Sequence, residues 1–249
     1  MRAMILAALV ATAVPVAVYA APADVKASVA ATAARTEANV KLDESRKPAE
    51  VLKFLGLQQG MWVADPFGGN FYWAEITGPA VGPKGRVTIW EPQQFYSQKM
   101  LDNYTALRGK QPNIFLRVSP MEAPDMPGKY DFMLINLDYH DVYWESTKFG
   151  IPKMDPDQWL KTVYDSMKPG AVVGVIDHVA SPGDTRATVE KLHRIDPAVV
   201  KADFKRAGFK LEAESNMLRN PGDDHSLNVF DPKIRGKTDR FVLKFRKPR

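Results

Sequence analysis

Two acidic residues flank a glycine-rich turn in the segment from Val63 to Glu91. A short apolar run ends in Asp65, the turn Gly68-Gly69-Asn70 follows, and a second apolar run ends in Glu91, 26 positions after Asp65. A glycine turn after a strand brings backbone N–H groups close to a ligand, and a carboxylate about 20 residues later can accept both hydroxyls of a ribose. The segment therefore predicts a nucleoside-binding site in an α/β protein.

Histidines and aspartates follow two later apolar runs that we predict to be central strands. His140 and Asp141 follow the first of these runs, and Asp177 and His178 follow the second. The carboxyl ends of parallel strands meet at one rim of a sheet, and ligands of such proteins bind there. Histidine beside a carboxylate can act as a general base or hold a metal ion. We therefore predict His140, Asp141 and His178 as catalytic residues, although an acid after a strand is often only a helix cap.

Seven apolar runs, separated by glycine, proline and aspartate breaks, predict seven strands. Helical spacing between the first five runs predicts crossover helices, whereas the connection 216–238 before the last run has no helical stripe. Strands joined without a crossover helix are more often antiparallel. The pattern predicts a three-layer α/β sandwich, with a mostly parallel sheet and one antiparallel strand near the C-terminus. The predicted strands are 61–65, 87–90, 113–118, 132–137, 171–176, 209–215 and 239–245.

Helix boundaries are predicted from residues that start or stop a helix. Gly56 is placed to end a helix that begins at Pro48, and Gly78-Pro79 to close a short helix at 71–76. Asp155 and Asp196 are predicted N-caps, since each precedes a proline suited to a first helical turn. The connection 216–238 is long for a compact domain, so we expect either a lid over the rim or an exposed surface loop.

The first 20 residues have the pattern of a signal peptide. Arg2 is followed by an apolar stretch, and Val18-Tyr19-Ala20 offers small residues at the −3 and −1 positions of a cleavage site. An uncleaved membrane anchor is the alternative, because the stretch is just long enough to span a bilayer. We expect residues 1–20 to be removed on export to the periplasm, residues 21–42 to form a flexible leader and residues 43–249 to form one domain.

Composition excludes several classes of function. The chain has no cysteine, so disulfides, thiol catalysis and cysteine-ligated zinc are unavailable. The net charge of +5 comes from basic residues that are interleaved with acids except at the C-terminus. A nucleic-acid surface needs a clustered basic face, so we expect a small-molecule ligand or substrate, no nucleic acid and, after cleavage, no membrane partner. The oligomeric state is left open.

The order of the glycine turn, the two acids, the fourth strand and the closing strand pair resembles class I S-adenosylmethionine-dependent methyltransferases. Over residues 43–248 the chain is similar to a bacterial family of predicted methyltransferases with export signals, through segments 46–50, 81–85, 134–141, 175–178, 192–197 and 235–241. The resemblance implies methyl transfer at the rim near Asn136 and His140, with Glu91 on the ribose. The implied S-adenosylmethionine site comprises Asp65, Gly68, Gly69, Asn70, Glu91 and Asn136.

The turn departs from the usual pattern of such enzymes, acid-x-Gly-x-Gly-x-Gly. Phe67 and Phe71 stand where two of its glycines are expected. Glycine serves where φ is positive or where backbone and ligand nearly touch. Either the turn has shifted its register onto Gly68-Gly69, or the phenyl rings partly fill the cofactor pocket.

Two other functions are compatible with the same residues. The two phenylalanines favour a non-catalytic exported binding protein on a degenerate methyltransferase scaffold. The aspartates and histidines of the rim favour a metal-dependent site, with further candidates at His193 and His225. Because their spacing lacks a compact motif such as His-x-x-x-His, the sequence assigns no metal ligand.

Overall fold

The structure is a computed structural model that describes residues 21–249. The predicted signal peptide, residues 1–20, lies outside the described residues. Within residues 21–249, no helix has the length and apolar character needed to cross a membrane.

A seven-stranded sheet forms the centre of the protein. Its strand order is β3-β2-β1-β4-β5-β7-β6. Neighbouring strands from β3 to β5 pair in parallel, and β7 pairs antiparallel with both β5 and β6. The predicted sheet, mostly parallel with one antiparallel strand near the C-terminus, is therefore confirmed. The strands are β1 (Trp62–Pro66), β2 (Arg86–Pro92), β3 (Ile114–Ser119), β4 (Tyr130–Asn136), β5 (Met167–His178), β6 (Lys210–Ser215) and β7 (Arg240–Arg246).

Helices cover both faces of the sheet. Apolar side chains of α4, α5 and α6 share one buried cluster with one face, and those of α7 and α9 share a second cluster with the other face. This is the predicted three-layer sandwich. The helices are α1 (Val25–Ala30), α2 (Glu37–Val40), α3 (Asp43–Arg46), α4 (Pro48–Leu55), α5 (Tyr72–Val81), α6 (Gln98–Lys110), α7 (Pro156–Ser166), α8 (Thr185–Leu192) and α9 (Pro197–Arg206), with short 3₁₀ segments at Thr32–Ala34 and Tyr139–Tyr143.

Most predicted helix boundaries agree with the structure, and one is wrong. Asp155 and Asp196 cap α7 and α9 through their side chains, and Gly56 ends α4 with φ +85°. The helix predicted at 71–76 instead continues through Gly78-Pro79 to Val81. Burial explains the difference: nearly every residue of α5 is buried, and a Cβ at Gly78 would lie 2.5 Å from Gln111 Oε1. Gly78 is thus a packing residue rather than a helix stop.

Residues 21–42, predicted as a flexible leader, form short helices that pack on the rest of the domain. Val25 is buried in the same cluster as α4 and α5. Arg35 makes two hydrogen bonds of 2.7 Å to Asp43. Asn39 Nδ2 donates to the carbonyl oxygen of Asn70 and to Glu75, each at 3.0 Å. A buried valine and a few polar contacts hold this segment beside the glycine turn, which explains why it has no continuous apolar stripe in the sequence.

The connection 216–238 contains no helix or strand, as predicted, but a buried ion pair fixes it to the domain. Arg194 and Asp223 are both almost fully buried, with Nη1 2.9 Å from Oδ2 and Nη2 3.0 Å from Oδ1. Arg194 also donates to the carbonyl oxygens of Val179 and Leu227. The part of the connection around Asp223 is therefore a structural anchor. Its later part, including Phe230 and Arg235, borders the rim.

We predict that Asp223→Ala destabilises the protein by about 3–5 kcal/mol, because it leaves the Arg194 guanidinium buried without its partner. Chemical denaturation measures this change. The matched control is Lys41→Ala, which breaks the exposed pair with Glu37 and should cost less than about 1 kcal/mol. Equal effects of the two variants would contradict the anchoring role of the Arg194–Asp223 pair.

Candidate functional site

Gly68 and Gly69 lie directly against the two carboxyl groups that end β1 and β2. The backbone N–H of Gly69 donates to Glu91 Oε2 at 2.9 Å. A Cβ at Gly69 would lie 2.5 Å from Glu91 Oε1, and a Cβ at Gly68 would lie 2.5 Å from Asp65 Oδ2. Only glycine permits these approaches. Close approach to the two carboxyl groups thus explains the glycines at 68 and 69, neither of which has a positive φ.

Phe67 and Phe71 adopt the left-handed backbone conformation that glycine usually supplies, with φ +58° and +61°. The Phe67 ring packs edge-on against Trp90 at 5.0 Å and stacks with Trp159. The Phe71 ring is buried and stacks with Tyr104 in the opposite helical layer. Aromatic packing offsets the cost of the backbone conformation. Phe71 belongs to one core, whereas Phe67 is partly buried, packs against the other core and also lines the cavity at the rim. These contacts keep the shape of the turn without glycine at the two positions.

Burial perturbs both carboxyl groups beneath the turn. The pKa of Asp65 is raised to about 8 by burial and then by the nearby charge of Glu91. Burial raises the pKa of Glu91 to about 7, against the opposing hydrogen bond from Gly69. Asp65 Oδ2 is buried without a hydrogen-bond partner. Gly69 supplies the hydrogen bond that Glu91 receives from the described residues, so Glu91 Oε1 keeps its acceptor capacity for a ligand.

A cavity of about 830 Å³ opens at the carboxyl ends of β4 and β5. We call it the rim cavity. Its volume suits a small organic ligand. One part of its wall is aromatic, and the rest carries charged and polar side chains. Its lining includes Arg46, Phe67, Asn70, Phe95, Asn136, Asp138, His140, Asp141, Trp144, Phe149, His178, His193, Phe230, Thr238 and Arg240.

The structure brings most of the predicted site residues to this cavity. Asn70, Asn136 and the three predicted catalytic residues, His140, Asp141 and His178, line it directly. The other predicted cofactor residues, Asp65, Gly68, Gly69 and Glu91, belong to the adjoining glycine turn.

Sequence reasoning missed the roles of Arg46 and Arg240 and gave His193 only as one of many metal candidates. Arg46 belongs to α3, and Arg240 is the first residue of β7. His193 follows α8, a helix that the sequence pattern did not predict. These residues are far apart in the chain, and only the tertiary fold brings them to one cavity.

Carboxyl groups hold His140 from two sides. Its Nδ1 lies 2.8 Å from Asp177 Oδ1, and its backbone N–H donates to Asp177 Oδ2 at 2.9 Å. Its Nε2 lies 3.3 Å from Asp141 Oδ1, and Nδ1 of His193 lies 3.5 Å from the same oxygen. Burial lowers the pKa of His140, but the charges of Asp177 and Asp141 outweigh burial and raise it to about 9.

His178 has a different environment from His140. Its Nδ1 lies 2.7 Å from the hydroxyl oxygen of Thr238, and its backbone N–H donates to Asp177 Oδ1. Burial and the positive charge of His140 hold the pKa of His178 well below its usual range. The cavity therefore contains a neutral imidazole at His178 beside an imidazole at His140 that is surrounded by carboxylates.

Two arginines add positive charge to another part of the cavity wall. Arg46 Nη1 and Arg240 Nε are buried and have no hydrogen-bond partner. The Arg46 guanidinium lies 4.3 Å from the centre of the Tyr72 ring, and Arg240 Nη2 donates to the carbonyl oxygen of Ser45. Burial lowers the pKa of both arginines. Guanidinium groups pair well with carboxylates and phosphates, so this wall favours the anionic group of a ligand.

The fold is similar to those of solved methyltransferases. A SAM dependent methyltransferase from Aquifex aeolicus aligns with a TM-score of 0.57 and 16% identity, over 90% of this chain and 98% of that one. A 1,6-didemethyltoxoflavin-N1-methyltransferase from Burkholderia thailandensis, with bound S-adenosylhomocysteine, aligns with a TM-score of 0.54 and 12% identity, over 81% and 76%. The [4+2]-cyclase SpnF aligns with a TM-score of 0.57 and 15% identity, over 82% and 80%.

These similarities establish the fold. No family model and no curated protein sequence matches the chain. The chain has the Rossmann-like α/β architecture of class I S-adenosylmethionine-dependent methyltransferases, as the resemblance in the sequence implies. One similar structure is that of a cyclase, and folds of this kind support several chemistries. The function therefore depends on the side chains of the site and not on the fold alone.

We predict that Asp65 and Glu91 make the protein less stable as the pH rises from about 4 to 8. The pKa values of Asp65 and Glu91 in the folded state, about 8 and 7, exceed their ordinary values of 3.8 and 4.5. In this interval these two groups bind more protons in the folded state than in the unfolded state, so their contribution to stability falls as the pH rises. Asp65→Asn should reduce the pH dependence and raise the free energy of unfolding at pH 8 by at least about 1.4 kcal/mol, the equivalent of one pKa unit.

Denaturation curves at several pH values compare this variant with the wild-type protein. Glu50→Gln, which changes an exposed acid of α4, serves as the control and should keep the wild-type pH dependence. An Asp65→Asn variant with an unchanged pH dependence would show that Asp65 is ionised in the folded protein.

Proposed function

We propose that the protein is an S-adenosylmethionine-dependent methyltransferase of the cell envelope, which methylates an oxygen or nitrogen atom of a small molecule in the rim cavity. The contact between Gly69 and Glu91 is the observation that carries the proposal. Gly69 N–H fixes one carboxylate oxygen of Glu91 at the end of β2, where proteins of this architecture bind ribose. The other oxygen remains available to ribose hydroxyls.

The side chains around the turn fit the polar groups of the cofactor. Glu91 Oε1 would accept the ribose hydroxyls, and the unpartnered Nη1 of Arg46 would pair with the carboxylate of the methionine part. Asn70 and Asn136 line the cavity nearby and offer amide groups to the cofactor. When bound, S-adenosylmethionine supplies an electrophilic methyl group on a positively charged sulfur. The protein contributes chiefly by positioning the acceptor in the cavity.

We assign removal of the acceptor's proton to His178. With Nδ1–H donated to Thr238 Oγ1, 2.7 Å away, Nε2 presents its lone pair and can take the proton of an O–H or N–H group. His140 is less suited to this role, because both of its ring nitrogens lie against carboxylates. His140 and Asp141 remain on the same cavity wall, where they would orient the acceptor.

The location in the cell envelope rests on residues 1–20, whose sequence has the pattern of a cleaved signal peptide. The absence of cysteine from the chain is compatible with an oxidising compartment. The proposal includes a small-molecule substrate in the periplasm and no nucleic-acid partner.

We predict that the protein consisting of residues 21–249 binds S-adenosylmethionine, and that Gly69→Ala weakens binding at least tenfold, or about 1.4 kcal/mol. The new Cβ would lie 2.5 Å from Glu91 Oε1 and must displace the carboxylate that receives the ribose. Glu91→Gln should weaken binding as well, since the amide has one oxygen and cannot accept both the Gly69 N–H and the ribose hydroxyls as the two carboxylate oxygens do. Isothermal titration calorimetry with S-adenosylmethionine measures both effects.

Gly109→Ala is the matched control, because Gly109 lies in α6, is exposed and has no atom near the position of the added Cβ. This variant should bind the cofactor as the wild-type protein does. No heat at millimolar S-adenosylmethionine with wild-type protein, or unchanged affinity in Gly69→Ala, would reject the proposal in favour of a non-catalytic binding protein.

A further inference from the structure

We propose that His140, Asp141 and His193 form a binding site for one divalent metal ion of the zinc class on the wall of the rim cavity. The three residues come from different parts of the chain. His140 and Asp141 lie in the 3₁₀ segment that follows β4, and His193 is the C-cap of α8. The proposal does not depend on methyl transfer, because the three ligands are complete without a cofactor.

The distances between the ligand atoms fit a bound ion. Asp141 Oδ1 lies 3.3 Å from His140 Nε2 and 3.5 Å from His193 Nδ1, and all three atoms lie within 4.8 Å of one another. Zinc binds nitrogen and oxygen at about 2.0–2.1 Å in a tetrahedral arrangement, which separates two ligand atoms by roughly 3.4 Å. The two separations from Asp141 Oδ1 thus already match tetrahedral coordination, and the two imidazole nitrogens lie within 4.8 Å of each other.

Asp141 Oδ1 offers an unused lone pair at the centre of this group. The atom is buried and has no hydrogen-bond partner. A buried carboxylate oxygen without a partner is costly, and the two nearby ring nitrogens do not satisfy it by a hydrogen bond. A metal ion between the three atoms would remove the cost.

Asp177 provides the outer support typical of a metal-bound histidine. Its Oδ1 lies 2.8 Å from His140 Nδ1, which keeps a proton on Nδ1. His140 Nε2, which lies beside Asp141, is then the nitrogen that would exchange its proton for a metal ion. Metal-bound histidines usually donate their second ring N–H to such a carboxylate. Asp177 is itself fully buried and accepts hydrogen bonds from the backbone N–H groups of His140 and His178. These bonds fix the orientation of the Asp177 carboxylate.

Neighbouring aromatic rings fix the position of His193. Its ring packs edge-on against Trp144 at 5.0 Å and against Phe230 at 5.1 Å. Its φ of +50° is the left-handed conformation that ends α8. The ring is therefore held toward Asp141 by packing on both sides.

Two imidazole nitrogens and one carboxylate oxygen select the kind of ion. Zinc and similar divalent transition metals accept this set, whereas magnesium and calcium prefer oxygen ligands throughout. The carboxylates of Asp141 and Asp177 beside His140 also favour a cation. Three protein ligands leave a fourth position open, and because all three residues line the rim cavity, the open position would face a ligand there.

Zinc titration of metal-free protein tests the site. Protein dialysed against a chelator and then against buffer is titrated with zinc chloride in a calorimeter, and we expect one ion per chain. His193→Ala should weaken zinc binding at least tenfold, and Asp141→Asn should do the same with a side chain of nearly equal shape. Cobalt(II) added to the wild-type protein should give the intense visible absorption of a four- or five-coordinate ion, and His193→Ala should lose it.

His225→Ala is the matched control. His225 also contacts a carboxylate, with Nε2 3.0 Å from Asp239 Oδ2, but it lies outside the proposed site, so this variant should bind zinc as the wild-type protein does. Circular dichroism confirms that each variant is folded. Zinc binding that is absent, or that survives in both His193→Ala and Asp141→Asn, would overturn the proposal. A protein that binds zinc but not S-adenosylmethionine would reject only the methyltransferase function.

Discussion

The carboxylate of Asp177 fixes the geometry of the rim. Asp177 comes near the end of β5 and is fully buried. It accepts the backbone N–H groups of His140 and His178 and pairs with the His140 ring. One side chain thus ties the segment after β4 to the end of β5. His140 and His178 owe their relative position to this carboxylate, which also fixes the direction of His140 Nε2.

The shape of the glycine turn also depends on buried carboxyl groups. Two of them lie in close contact with its backbone. Gly68 faces Asp65 and Gly69 faces Glu91, each so closely that a Cβ would overlap the carboxyl oxygen. Phe67 and Phe71 complete the backbone conformation around them. The Phe71 ring is packed into one core, and the Phe67 ring packs against Trp90 at the edge of the other core and lines the rim cavity. Glycine is required at 68 and 69 by proximity rather than by φ, whereas at 67 and 71 packing against aromatic neighbours makes a positive φ tolerable.

Local patterns in the sequence predicted the sheet but only part of the site. The inner strands are short apolar runs bounded by turn residues, whereas the edge strand Lys210–Ser215 is mostly polar and exposed. The missing helix before Arg240–Arg246 was enough to predict an antiparallel strand. Gly78-Pro79 misled the prediction of α5, because tertiary burial overrode the usual effect of these residues on a helix. Arg46, Arg240 and His193 could not be assigned to one site from sequence, since their proximity depends on packing between elements distant in the chain.

The strand order allows the two proposed sites to coexist in one rim. Glu91 ends β2, while the segment with His140 and Asp141 follows β4, and β1 lies between these strands. Neighbouring strands are about 4.8 Å apart, so two intervals separate the sites by roughly 10 Å along the sheet. Arg46, Asn70 and Asn136 line the same cavity as the histidines. A small acceptor in that cavity would therefore contact the metal position on one side and the cofactor position on the other, which is the arrangement that a transfer between two bound groups requires.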